Sequence, residues 1–292
     1  MAIATELETL KTNITNAYNS INTKGGTIPV NKNTENLSSA IESIPSGGGD
    51  ISDYFTSTFE KGGNLVGSVQ NSYTNGLNAS IKKLPSDILP PSTYNAFLTG
   101  CKNLIDVNAL ATMDSSNITS CTRMFHYCLA LPQIPLFDTS KVTEMPYMFS
   151  NCSQLTTIPQ LNTSNVTTTY YMFQSCSKLE TIPLLDFSKN RNVQNLLQYC
   201  SNLINLGGFQ NLGQAYLTTV PANSGSYKLD LSSSTKLIEQ SLINVLNNLY
   251  DIATAGCNTQ QVVLGATNLA KLTSTAGQTA LSNAQTKGWT VS

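Results

Sequence analysis

Cysteine recurs at Cys128, Cys152, Cys176 and Cys200, each 24 residues after the last. The neighbours recur with it: Leu131, Leu155, Leu179 and Leu203 three residues later, then Ile134, Ile158, Ile182 and Leu206. Met124–Phe125, Met148–Phe149 and Met172–Phe173 precede three of the cysteines, and Leu196–Leu197 precedes the fourth. A unit this short cannot enclose its own apolar side chains, so neighbouring units must complete one another's core. The period therefore predicts a solenoid whose repeated positions point inward.

Within each unit the chain reads Asp or Asn, then Ser, then Val or Ile, as in Asp114-x-Ser116-x-Ile118, Asp138-x-Ser140-x-Val142 and Asn162-x-Ser164-x-Val166. An Asx side chain followed two residues on by Ser suits a turn or a helix start. The Val-to-Cys stretch is expected to be a short helix, and Leu-x-x-Ile-Pro a strand pairing in parallel with its copies. Cys101-x-x-Leu104-x-x-Val107 fits the same pattern 27 residues before Cys128 and reads as a slightly extended first turn. The fourth unit departs from the pattern at Asn190 and Leu196–Leu197, which suggests a fading end. The ladder cysteines read as buried, reduced thiols serving as small apolar residues; stacked disulfides are the alternative.

Charge is scarce, at 11% of residues, with Asn, Thr and Ser in its place. Equivalent residues in stacked turns lie about 4.8 Å apart, so a repeated charge would repel itself where a neutral hydrogen-bonding group would not. A formal net charge of -1 argues against nucleic acid as a partner. No apolar run reaches the roughly 20 residues that span a bilayer. The start, Met1-Ala-Ile-Ala-Thr-Glu, has no secretory pattern and implies folding in a reducing cytoplasm.

Five segments follow. Residues 1–45 form a helical anchor with Ile3, Leu7, Leu10, Ile14, Ala17 and Ile21 on one stripe, an assembly face suited to a homo-oligomer, the trimer included. Residues 46–50 are a Gly-rich linker, and 51–110 an N-terminal cap with the first repeat, including a turn signal at Asn75-Gly76. Residues 111–209 are the regular array, and 210–292 an α/β cap with helices over 235–249 and 276–287 and strands over 261–264 and 289–291.

The unit Phe137-Asp138-Thr139-Ser140-Lys141-Val142 with Met145, Met148–Phe149, Cys152, Leu155 and Ile158–Pro159 resembles the BspA-like leucine-rich repeat, also found in Mycoplasma surface lipoproteins. That resemblance implies a leucine-rich-repeat solenoid with a parallel sheet on one face and short helices on the other, and surface recognition without catalysis. The helical start, Thr5 to Tyr18 followed by Lys24-Gly-Gly-Thr-Ile-Pro29, is similar to the beginning of tail and baseplate-associated proteins of phages of Gram-positive hosts. Ser241 to Tyr250, Leu264 to Leu272 and Lys287-Gly-Trp289 resemble the ends of such proteins. These likenesses imply a virion component, with other phage structural proteins docking on residues 1–45 and a host-surface glycan or protein bound by the array. A capsid decoration or head-fibre protein and a bacterial surface adhesin are the alternatives.

No catalytic, cofactor or metal constellation is legible. The chain has one histidine, His126, whose repeat equivalents are Ser150, Gln174 and Gln198; it reads as a variable, solvent-facing residue. The row Asp114, Asp138, Asp186 could serve calcium or glycoside hydrolysis, but Asn162 interrupts it and Ser follows each time, so turn chemistry is the better reading. Since the repeated positions face inward, recognition is expected from the residues that vary: His126, Gln133, Tyr147, Thr157, Tyr170, Thr181 and Asn205. Tyr147, Tyr170, Tyr171 and Tyr199 offer rigid amphipathic contact area for a carbohydrate or protein; packing partly under neighbouring turns is the alternative.

Overall fold

The computed structural model describes Leu84 and residues 95–217, 228–255 and 260–292, all within the unit made of residues 66–84 and 90–292. The expected anchor stripe (Ile3, Leu7, Leu10, Ile14, Ala17, Ile21), the 46–50 linker and the Asn75-Gly76 turn lie outside the described residues.

The repeated apolar residues form the core. Cys128, Cys152, Cys176 and Cys200, with the matching leucines and the Met-Phe pairs, are wholly buried. Phe125 stacks on Phe149 and Phe149 on Phe173, each pair at 5.5 Å between ring centroids. Leu197 continues that column, and Leu196 and Leu197 are as buried as the Met-Phe pairs they replace. The fourth unit therefore does not fade: leucine fills the same inward positions, and the backbone bonds Phe173 N to Leu196 O and Ser175 N to Gln198 O run on through it.

The Val-to-Cys stretch is not the short helix expected. Among the described residues, no helix lies between Asn108–Ala111, a 3-10 turn, and Gln214–Leu217, a second one. Amides alternate in direction instead. Those of Cys121, Arg123, Phe125 and Tyr127 donate to the carbonyls of Glu144, Pro146, Met148 and Ser150 in the next turn. Those of Met124, His126 and Cys128 donate three residues back within their own turn. The next two turns repeat the pattern, as in Met145 to Thr168 and Thr169 to Asn192. An α-helix would need every amide for its own i−4 carbonyl and would leave none for the neighbour. Left-handed residues at Arg123, Tyr147, Tyr171 and Asn195, and again at Tyr127, Asn151, Ser175 and Tyr199, reverse the backbone twice per turn and make the alternation possible.

On the opposite side the pairing is parallel and in the same 24-residue register. Strands β1 (Thr181–Ile182) and β3 (Asn205–Leu206) pair, as do β2 (Leu185–Asp186) and β4 (Phe209–Gln210), and Thr157 bridges to Thr181. The strands are short because Pro159 and Pro183, which follow Ile158 and Ile182, have no amide to donate.

The C-terminal segment continues with larger units. Strands β5 (Lys228–Asp230), β6 (Gln260–Val263) and β7 (Trp289–Val291) form one parallel sheet in that order. Helix α1 (Glu239–Asn247) and the short α2 (Ala266–Leu269) connect to α3 (Thr275–Thr286), and α1 packs on α3. The final repeat is covered by this segment. Ser241 Oγ donates to Ile204 O and accepts Leu206 N–H, while Ser233 Oγ donates to Leu197 O. Lys287 Nζ donates to the carbonyls of Asn247 and Leu249, satisfying groups that the end of α1 leaves without helical partners. Asn268, wholly buried, donates through Nδ2 to the carbonyls of Leu231, Ser234 and Leu264.

Candidate recognition surfaces

The stacked turns carry columns of side chains related by the 24-residue step, and most bond along the column. Thr143 Oγ1 donates to Thr119 O, Thr167 Oγ1 to Thr143 O, Ser153 Oγ to Leu129 O and Gln174 Nε2 to Gln198 Oε1. This accounts for the Ser/Thr/Asn/Gln-rich composition: the neutral groups occupy backbone acceptors and one another at a spacing where like charges would repel.

Four of the residues expected to recognise a partner fall in one column. Thr157 bridges to Thr181, and Thr181 pairs with Asn205 in the sheet register; Gln133 is the next step back. Gln133, Thr157 and Asn205 are exposed and Thr181 is half-buried. Tyr147 and Tyr170 lie on the other side, in the turn that replaces the expected helix, so the seven residues do not form one surface.

His126 is buried, and not solvent-facing as expected from the sequence. It is 7% exposed, and its ring lies 4.4 Å from Tyr127 and 5.7 Å from Tyr147. Its repeat equivalent Ser150 is fully buried as well. The position lies beneath the tyrosines because the left-handed residues, not the three between them, are turned outward. Burial, reinforced by the nearby Arg123 guanidinium, lowers the His126 pKa to about 4, so the ring is neutral at physiological pH.

The turn-side surface is aromatic. Tyr147 and Tyr171 stack with centroids 4.9 Å apart and planes 1° from parallel, and Tyr170 stands edge-on to both. The Arg123 guanidinium sits 4.9 Å from the Tyr147 ring centroid. Tyr127 and the 59%-exposed Tyr199 share the second left-handed column with Asn151 and Ser175. Arg123 and Tyr127 are members of this surface that the sequence reading does not single out; the register could have found them, since 123 is one step of 24 before Tyr147, and 127 three steps before Tyr199.

The row at the turns does backbone work. Asp114, Asp138, Asn162 and Asp186 each accept the amide of the Ser two residues on through Oδ1, at 3.0, 2.8, 3.1 and 2.8 Å. The Ser116 hydroxyl and then its amide hold the Asp114 carboxyl below the usual range, and the Ser140 amide and hydroxyl do the same for Asp138, so both remain ionised. A general acid for glycoside cleavage needs the opposite shift. An open groove of about 530 Å³ passes between these residues, walled by Leu136, Phe137, Gln160 and Asn162.

The ladder thiols are unbridged, and burial pushes those of Cys101, Cys121 and Cys200 up to about 12 and raises Cys128, Cys152 and Cys176 likewise. They are not nucleophiles at neutral pH. Among the described residues, no group of three His, Cys, Asp or Glu side chains is placed to hold a metal, and no helix is long and apolar enough to cross a membrane.

No curated protein matches the chain. Residues 92–206 match the model of a family described as Mycoplasma protein of unknown function, DUF285, which is the BspA-like repeat family.

Proposed function

We propose that this protein is a non-enzymatic recognition module: a leucine-rich-repeat solenoid that presents the tyrosine-rich turn surface to a glycan or protein on a cell surface. The observation that carries this reading is where the tyrosines stand. Of the eight left-handed positions in the array that are not glycine, four are Tyr (Tyr127, Tyr147, Tyr171, Tyr199), beside Arg123, Asn151, Ser175 and Asn195. A left-handed residue other than glycine costs about 1–2 kcal/mol, and Asn bears it most easily, so fold alone favours Asn at every one of them. Tyr–Tyr stacking returns about 0.5–1.5 kcal/mol and offsets only part of this. Strain retained with large amphipathic side chains is the pattern of a binding surface.

The setting we propose is a bacteriophage virion, with residues 1–45 as the docking and oligomerising element. This rests on the terminal resemblances in sequence. Many copies on one particle would let weak sites hold a surface, since linked binding raises avidity by roughly 10²–10⁴. Two measurements test the reading. Replacing Tyr147 and Tyr171 with Asn should abolish adhesion of the purified protein to its host cells while the fold is retained; undiminished adhesion would remove the tyrosine surface from the proposal. A 50–292 truncation should be missing from purified particles, and its stoichiometric incorporation would overturn the docking role of the N-terminal segment.

A further inference from the structure

We infer that the tyrosine surface takes an acidic glycan, and that Arg123 is the residue that binds its carboxylate. This rests on the reading that the surface binds a glycan and adds which kind. Arg123 stands at the first of the left-handed positions, φ 56°, where the fourth turn has Asn195. Asn at that site carries no charge and suits the backbone better, so the guanidinium is the part of Arg123 that the fold does not require.

The guanidinium is held in place but not neutralised. Its packing over the Tyr147 face fixes its plane, which leaves less side-chain entropy to lose when its fork of N–H groups meets a carboxylate. Among the described residues the ion pair present is Lys228–Asp230, far along the chain, and no carboxylate lies within ion-pair distance of Arg123. Glu144 is exposed in the adjacent column, where its backbone bridges Ser120 and Thr168, and its carboxylate is not within ion-pair distance of Arg123. His126, the other cationic side-chain type at this place, stays uncharged at physiological pH, so among the described residues stacked with Tyr147 the positive charge is that of Arg123.

The rest of the surface has the character of a sugar site. Tyr147 is covered on both faces, by Arg123 and by Tyr171, so it supports Arg123 and does not itself offer an open ring face. Tyr199 is well exposed and enters no ring pair among the described residues, and the half-buried Gln174 and Gln198, bonded to each other, lie along the neighbouring column. Planar amides and a phenol two to three turns along the same side, about 10–14 Å from one fixed cation, match an extended polymer of hydroxyls that bears a carboxylate. A single guanidinium does not make the cluster of cations that a polyphosphate chain would call for.

The test is a titration of the full chain with oligosaccharides containing glucuronate, galacturonate or N-acetylneuraminate, each beside its carboxyl-reduced counterpart, with a glycerol phosphate oligomer as a further arm. At least one acidic oligosaccharide should bind about 10-fold tighter than its reduced form. Arg123→Asn should erase that preference, and Arg123→Lys should keep part of it. Thermal melting of each variant reports the fold separately, and Asn195 shows that the backbone accepts Asn here. Equal affinity for acidic and reduced forms, an unchanged preference in Arg123→Asn, or binding of glycerol phosphate alone would overturn the inference and leave the glycan reading standing or narrowed. Binding of no saccharide in either form would overturn the glycan reading itself.

Discussion

The Sγ of Cys152 donates to the carbonyl oxygen of Phe125 at 3.0 Å, one turn away, and the same oxygen accepts the amide of Cys128. Cys176 repeats this with Phe149 and Cys200 with Phe173. Each thiol is therefore more than a small apolar side chain: it occupies the second lone pair of a buried carbonyl and joins two turns.

That bond sets an order among substitutions. Cys152→Ala removes the donor and opens a small cavity, and should destabilise by about 1–2 kcal/mol. Cys152→Val also removes the donor and adds a branch in a packed core, and should cost more. Urea unfolding midpoints of the two variants decide this; a neutral Cys152→Ala would mean that the thiol hydrogen bond contributes nothing.

The same thiols should resist modification in the folded protein. Burial raises their pKa far above neutral, so a disulfide reagent at pH 8 should leave Cys101, Cys121, Cys128, Cys152, Cys176 and Cys200 unlabelled until denaturant is added. Peptide mass mapping of labelled native protein provides the count, and rapid labelling of any ladder cysteine would contradict the packing.

Acid should weaken the fold through His126. The ring titrates near 6.5 when unfolded and at about 4 when folded, so between those values the unfolded state binds more protons. Stability is then lost as pH falls from about 6.5 towards 4, and no further loss from this residue follows below that. His126→Gln, which copies Gln174 and Gln198, should flatten that part of the stability profile relative to the parent. Parallel profiles for the two proteins would show that His126 does not contribute.

Phe149 sits between Phe125 and Phe173 in the stack. Phe149→Ala should cost about 3–5 kcal/mol, whereas Phe149→Leu should cost clearly less because Leu197 fills the same place in the fourth turn. Equal losses would show that the ring stack, and not volume, holds the column.

Tyr171→Asn should separate fold from recognition. The substitution relieves a left-handed tyrosine and forfeits the stack on Tyr147 and the edge contact with Tyr170, so the melting temperature should stay within a few degrees while surface binding falls. A large drop in melting temperature would make the tyrosine column structural.

The sequence by itself determined the inside of the array. A side chain that recurs every 24 residues meets its own copy in the next turn, so the period alone identifies Cys, Leu, Ile and Met-Phe as core and Asx-x-Ser as the turn. The C-terminal helix over Glu239–Asn247 and the strand at Trp289–Val291 were legible because their apolar spacing is local. Tertiary structure decided the rest. Whether the Val-to-Cys stretch spends its amides on itself or on the neighbouring turn depends on the neighbour's carbonyls, which no local pattern contains, and inter-turn bonding replaced the helix. That choice placed left-handed residues at 123, 127, 147 and 171, turned Arg123 and the tyrosines outward and drew His126 beneath them. The variable residues fall on two faces, and His126 on neither, because exposure is fixed by backbone direction in three dimensions and not by departure from the repeat.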